Sequence, residues 1–241
     1  MPQLALIRHG QSEWNLQNRF TGWVDVDLTA EGVAQAQRAG TLLAETGFKP
    51  VRAYASVLKR AIKTLHYALE GLDRLWIPEE KSWRLNERHY GGLAGLDKDE
   101  TRAKHGEEQV HIWRRSFDTP PPELAEDHEY HPVNDPRYAD VPREFLPGAE
   151  SLKLTLDRVE PYWTSEILPH LESGEDLIVA AHGNSLRALV KLLFKVSDAD
   201  IMGIEVPTGN PLLIDLADDG LSIRSARYLD ESRAKTLPPL P

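Results

Sequence analysis

Two junctions of one kind constrain what this chain can fold into. Leu4-Ala-Leu-Ile7 is a continuous apolar run that stops at Arg8-His9-Gly10, and Leu177-Ile-Val-Ala-Ala181 is another that stops at His182-Gly183-Asn184. Short apolar runs without alternation predict strands covered on both faces, as in a parallel sheet. In open α/β sheets ligands bind beyond the C-terminal ends of such strands. A glycine there lets the backbone turn sharply and come close to a ligand. One histidine at a strand tip is most simply a hydrogen-bonded core residue. Two, at equivalent tips of one sheet, can face each other across one pocket.

The rest of the chain supplies an α/β alternation around those strands. Thr29 is an N-cap for a helix whose Val33, Ala36, Gly40 and Leu43 recur at helical spacing, and Gly47 and Pro50 end it. Val51–Ala55 reads as a second strand. Ser56 caps a helix from Val57, which puts Arg60 in a first helical turn, beside the positive end of the macrodipole. Leu75–Pro78 is a short strand candidate. Ser151 opens a long helix with Leu152, Leu156, Val159 and Trp163 on one face, and Pro161 is expected either to kink it or to stand near the start of a second segment. Leu212–Leu216 is a strand, and Asp218-Asp-Gly220 turns it back through Leu221–Tyr228. The fold class expected is therefore α/β: a mostly parallel central sheet with helices on both faces and an antiparallel edge strand.

From Leu96 to Gly148 the character changes. Pro120, Pro121, Pro122, Pro132, Pro136, Pro142 and Pro147 crowd a stretch longer than an ordinary connection. Such a stretch is expected to lack regular structure apart from a short helix at Glu107–Arg115, and to be functional or mobile. The expected organisation is one domain over 1–241, with 96–148 as an inserted cap and 230–241 as a flexible tail.

Composition narrows the function classes. A net charge of −10 over 241 residues argues against a nucleic-acid binder, though a local Arg and His cluster still binds a small anion. The absence of cysteine rules out disulfides and thiolate catalysis. Neither a signal peptide nor a membrane span is visible, so the cytoplasm is the default location.

Leu6-Ile-Arg-His-Gly-Gln-Ser-Glu-Trp-Asn15, followed by Arg19-Phe-Thr-Gly-Trp-Val-Asp-Val-Asp-Leu28, resembles the cofactor-dependent phosphoglycerate mutases of the histidine phosphatase superfamily. Ser56-Val-Leu-Lys-Arg-Ala-Ile62 and Arg84-Leu-Asn-Glu-Arg-His-Tyr-Gly-Gly92 carry the resemblance further, and it covers nearly the whole chain. It implies a phosphomonoester substrate and a phosphohistidine intermediate primed by 2,3-bisphosphoglycerate, with no metal. His9 would be the nucleophile and Glu87 the proton donor and acceptor. Arg8, Arg60 and His182 would complete the catalytic set. Contacts to the substrate are implied for Ser12, Thr21, Gly22, Arg88, Tyr90, Lys98, Arg114, Arg115 and Asn184, with Asn15 and the Gly183 N–H as neutral donors.

The chemistry suits those residue types. Phosphoryl transfer needs a nucleophile, charge stabilisation for the equatorial oxygens and a proton for the leaving oxygen. Arginine forks match phosphate geometry, and a neutral imidazole can attack phosphorus directly. The reaction implied is interconversion of 2- and 3-phosphoglycerate. A phosphatase and a catalytically silent phosphometabolite sensor remain as alternatives. Expected partners are small phosphorylated three-carbon acids, without nucleic acid or membrane, and a homodimer or homotetramer is open as the assembly. The chain departs from the family's usual pattern at Leu96, at Asn210 and in its tail.

Overall fold

The computed structural model describes residues 1–241. The chain opens with β1 (Gln3–Arg8), one turn of helix α1 (Glu13–Leu16) and the long helix α2 (Ala30–Glu45). Next come β2 (Arg52–Ala55), α3 (Lys59–Gly71) and β3 (Glu79–Lys81). Two helices follow, α4 (Lys98–His105) and α5 (Glu107–Arg115). After a long irregular stretch come α6 (Leu152–Tyr162) and α7 (Leu168–Glu172). The chain then runs through β4 (Leu177–Ala181), α8 (Gly183–Leu193), β5 (Leu212–Leu216) and β6 (Ile223–Tyr228).

The six strands form one sheet in the order β3-β2-β4-β1-β5-β6. β3, β2, β4 and β1 pair in parallel, and β5 and β6 add an antiparallel hairpin at one edge. Leu4 lies opposite Leu177 and Arg8 opposite Ala181, so both strands end at the same level. Side chains alternate across the sheet. Leu4 and Leu6 join α6 and α8 in one core, while Ala5 and Ile7 join α2 and α3 in a second core on the other face. The loop after β1 meets the start of α2 at close quarters: a Cβ on Gly10 would lie 2.1 Å from the Gly32 carbonyl oxygen. Only glycine allows that approach.

Three local expectations need correction. Ser56 is not the N-cap of α3; Leu58 holds that position without a side-chain bond. The Ser56 hydroxyl is engaged by His182 Nε2 at 2.7 Å and by the Leu58 N–H. The strand expected at Leu75–Pro78 begins only at Glu79. Leu75 and Trp76 are exposed there, so their hydrophobicity did not mark a sheet position. Residues 98–105 form a helix where only irregular chain was expected, because Asp97 caps it by accepting from the Asp99 and Glu100 N–H groups. At Pro161 the long helix continues, then loosens into a π turn over Trp163–Ile167.

The proline-rich stretch packs against the body of the molecule. Pro122 C=O accepts from the Gly92 N–H at 2.7 Å, Tyr138 OH accepts from Asn86 at 2.9 Å, and Phe20, Leu93 and Val110 form a small third core.

Candidate active site

Arg8, His9 and His182 meet because β1 and β4 are neighbours in register. The His9 and His182 rings stand with centroids 5.0 Å apart. His9 Nδ1 lies 2.7 Å from the Gly10 carbonyl oxygen. A carbonyl only accepts, so Nδ1 carries the proton and Nε2 keeps its lone pair. Arg60 Nε donates toward that lone pair at 3.4 Å. Burial, and then the charges of Arg60 and Arg8, hold His9 well below its ordinary pKa. The ring is therefore neutral and nucleophilic at neutral pH.

Arg60 is fully buried in the first turn of α3. Its Nη1 and Nη2 donate to the Val24 and Gly22 carbonyls at 2.9 and 2.8 Å, which fixes the fork beside His9. Burial pushes it down to about 10, so it remains charged at neutral pH. Arg8 donates from Nη1 to Val206 C=O at 2.8 Å, and its Nε has no partner. His182 is likewise lowered, first by burial and then by Arg60, His9 and other charges. Its Nδ1 has no partner.

Glu87 closes the site from a loop. Its Oε1 accepts from the Arg88 N–H at 2.7 Å and from the Asn184 N–H at 3.0 Å. The second of these donors belongs to the first turn of α8, where N–H groups lack helical partners. That leaves Oε2 free to face the cavity.

Two connected cavities open here, of about 200 and 90 Å³, sharing Arg8, Glu87, Tyr90 and Arg114 in their walls. The smaller one contains His9, Asn15, Thr21, Gly22, Arg60 and Lys98. The larger one adds Arg115, Gly183 and Asn184. Burial would raise the Tyr90 phenol, but Arg88 and Arg114 outweigh it and hold it below its ordinary value. Lys98 and Arg114 are both lowered, mainly by burial. A neutral imidazole beside Arg60 and Arg8, in a cavity lined by further cations, could accept a phosphoryl group.

Comparison with known proteins agrees with that chemistry. A model of the histidine phosphatase superfamily (branch 1) matches residues 4–132. The chain is 80% identical over 241 residues to a 2,3-bisphosphoglycerate-dependent phosphoglycerate mutase of Maricaulis maris (strain MCS10), covering 100% of this chain and 99% of that one. It is 62% identical over 232 residues to the enzyme of the same name from Erythrobacter litoralis (strain HTCC2594), covering 96% and 100%. The chain belongs to this mutase family of the histidine phosphatase superfamily.

Solved structures show how widely the fold is shared. A mycobacterial hydrolase superposes with a TM-score of 0.70 at 22% identity, over 98% of this chain and 100% of that one. A mycobacterial glucosyl-3-phosphoglycerate phosphatase gives 0.68 at 23%, over 95% and 97%. At such identities only the fold is carried across.

Among the residues the mutase resemblance singled out, three do not line the cavities directly. Ser12 is buried and spent on a cap: its Oγ accepts from the Asn15 N–H at 3.2 Å, while Asn15 Oδ1 accepts from the Ser12 N–H at 3.1 Å. Arg88 is buried with its charge 4.8 Å from the Tyr90 ring, and it donates to Arg114 C=O at 2.8 Å. His182 stands behind His9. Sequence reasoning missed Arg19, Arg187, Glu205 and Lys235, all in the cavity walls. Arg187 could have been found, since it follows Gly183 by four residues on α8. Glu205 could not: it pairs with Arg115 at 2.5 Å and Lys235 at 3.3 Å across the tertiary fold. Asn210 exchanges two 2.9 Å bonds with the Asp230 backbone and so ties the turn before β5 to the tail.

Proposed function

We propose that this chain interconverts 2- and 3-phosphoglycerate through a phosphohistidine at His9. The observation that carries the reading is the His9 ring itself: neutral, with Nδ1–H on the Gly10 carbonyl and Nε2 turned toward Arg60. Its 80% identity to a named mutase chooses the substrate class.

In this reading Nε2 forms a bond to phosphorus as the phosphorus–oxygen bond of the ester breaks. The electron pair leaves on the glycerate oxygen, which takes a proton from Glu87 Oε2. The return transfer runs the same path backwards. Arg8 and Arg60 hold the equatorial oxygens, where preorganised charge is worth most. His182 donates to the same oxygens from Nδ1. Arg114, Arg115, Lys98, Tyr90 and Asn184 hold the far carboxylate and second phosphate. The unpartnered donor Arg8 Nε, in the wall of both cavities, fits a phosphorylated acid. 2,3-Bisphosphoglycerate, when bound, supplies the phosphoryl group that loads His9.

The same reading treats 1–241 as one domain, residues 96–148 as a cap over the site, and 230–241 as a tail, which Asn210 and Glu205 hold against the body. It places the enzyme in the cytoplasm; no helix is long and apolar enough to cross a membrane. The test is conversion of 3-phosphoglycerate with and without added bisphosphate, with the intact mass of the protein followed alongside. One added phosphoryl group is expected, labile in acid and absent from His9→Ala. Labelling that persists in His9→Ala removes the nucleophile from its role.

A further inference from the structure

Glu87 lies in a segment with no helix or strand of its own, between short 3₁₀ turns at Trp83–Leu85 and Gly91–Leu93. A proton donor must be aimed to a fraction of an ångström, and a loop does not do that unaided. Something else must hold the backbone.

The holding groups are a buried ion pair, and neither partner lines the cavities that contain the reacting atoms. Arg158, on α6, is 6% exposed, and Glu150, two residues before that helix, is 3% exposed. They form a forked pair: Arg158 Nε to Glu150 Oε1 at 2.6 Å, and Nη2 to Oε2 at 2.9 Å. Each partner then reaches the Glu87 loop. Arg158 Nη1 donates to Arg84 C=O at 2.6 Å, and Nη2 donates to Glu87 C=O at 2.9 Å. Glu150 Oε2 accepts from the His89 N–H at 2.7 Å, and the Glu150 N–H donates to His89 C=O at 2.9 Å.

Four contacts therefore grip residues 84, 87 and 89 from behind, while the Arg88 and Asn184 N–H groups fix Glu87 Oε1 in front. A buried ion pair adds little stability over apolar packing of the same shape. What this one adds is direction. Its bonds go to the backbone on both sides of one carboxylate.

We propose that Glu150 and Arg158 are positioning residues that set the aim of Glu87 Oε2 at the leaving oxygen. The proposal rests on the acid–base reading of Glu87. It makes a selective demand. Breaking an alkyl phosphate ester needs a proton on the departing oxygen. Breaking the ester of an acidic phenol does not, because the phenolate leaves by itself.

The experiment measures the single-turnover rate of His9 phosphorylation in Glu150→Gln, Arg158→Lys and Glu87→Gln, with two donors. One is 2,3-bisphosphoglycerate; the other is dinitrophenyl phosphate. Both pair variants keep a hydrogen-bonding or charged group at the site, and thermal melts check that each is folded. With the alkyl donor, Glu150→Gln and Arg158→Lys should slow on the order of 10²-fold, as for a misplacement of about 1 Å. With the aryl donor they should be nearly unchanged, and Glu87→Gln should show the same split more strongly. If Glu87→Gln splits the donors and the pair variants slow both equally, or neither, the positioning role is overturned. An even loss in Glu87→Gln itself overturns the acid–base reading, and the positioning role with it.

Discussion

His9 owes its reactivity to what surrounds it. An exposed histidine is about half protonated near pH 6.5, and a protonated ring cannot attack phosphorus. Here burial, followed by the Arg60 and Arg8 charges, lowers the ring well below that value. Because the folded pKa is depressed, the nucleophilic form is lost only when pH falls well under the ordinary histidine range. The rate of His9 phosphorylation by a donor with an acidic phenol should therefore stay flat on lowering the pH through about 6.5. A half-loss at or above that pH would contradict the neutral ring. Ser12 shows the same dependence on surroundings: its Oγ accepts from the Asn15 N–H, which leaves only its O–H to donate.

At the scale of elements, the question is what α5 does at the cavity. Its last turn carries Arg114 and Arg115, and both enter the larger cavity wall. Arg115 is held by Glu205, which also meets Lys235 from the tail. Charge-assisted hydrogen bonds from such arginines contribute about 1.5–3 kcal/mol each. Arg114→Ala with Arg115→Ala should then weaken substrate binding and mutase turnover by roughly 10²-fold or more, at a factor of ten per 1.4 kcal/mol. The change also leaves Glu205 facing the anion with one cation fewer. Phosphorylation of His9 by a small phosphoryl donor should survive, because Arg8, Arg60 and His182 are untouched. Steady-state mutase and phosphatase rates on one preparation decide it. An unchanged ratio with an unchanged KM would make these arginines surface charges.

The whole molecule is two apolar cores on either side of one sheet and a small third one, with four buried histidines, His9, His89, His131 and His182. His9, His89 and His182 all lie below the ordinary histidine value, burial being the main cause, and His89 is pushed to about 4. Below about pH 6.5 the unfolded chain binds a proton on each, while the folded chain does not until far lower. Stability therefore falls as pH drops from about 6.5 toward 4, by up to about 1.4 kcal/mol per pH unit for each group. Melting temperatures by circular dichroism should decline steadily across that window, and the decline should lessen in a His89→Gln variant. A melting temperature independent of pH there would mean that these rings titrate normally.

The sequence by itself determined five of the six strands, the strand-tip histidines and the class of chemistry. Those depend on local patterns: Leu4–Ile7 and Leu177–Ala181 are apolar whatever lies beside them, and a helix start after His182-Gly183 is set by nearest neighbours. It also marked Arg60, which lies in the first turn of α3 although the N-cap is Leu58 and not Ser56. Only the tertiary structure decided where side chains spend their hydrogen bonds. Ser56 turned from its own helix to His182 because β2 and β4 are paired. Glu205, Arg115 and Lys235 meet across distant parts of the chain, as do Arg158 and the loop around Glu87. A buried donor takes the partner that folding brings to it, and that partner is fixed by the packing of whole elements, which no local pattern encodes.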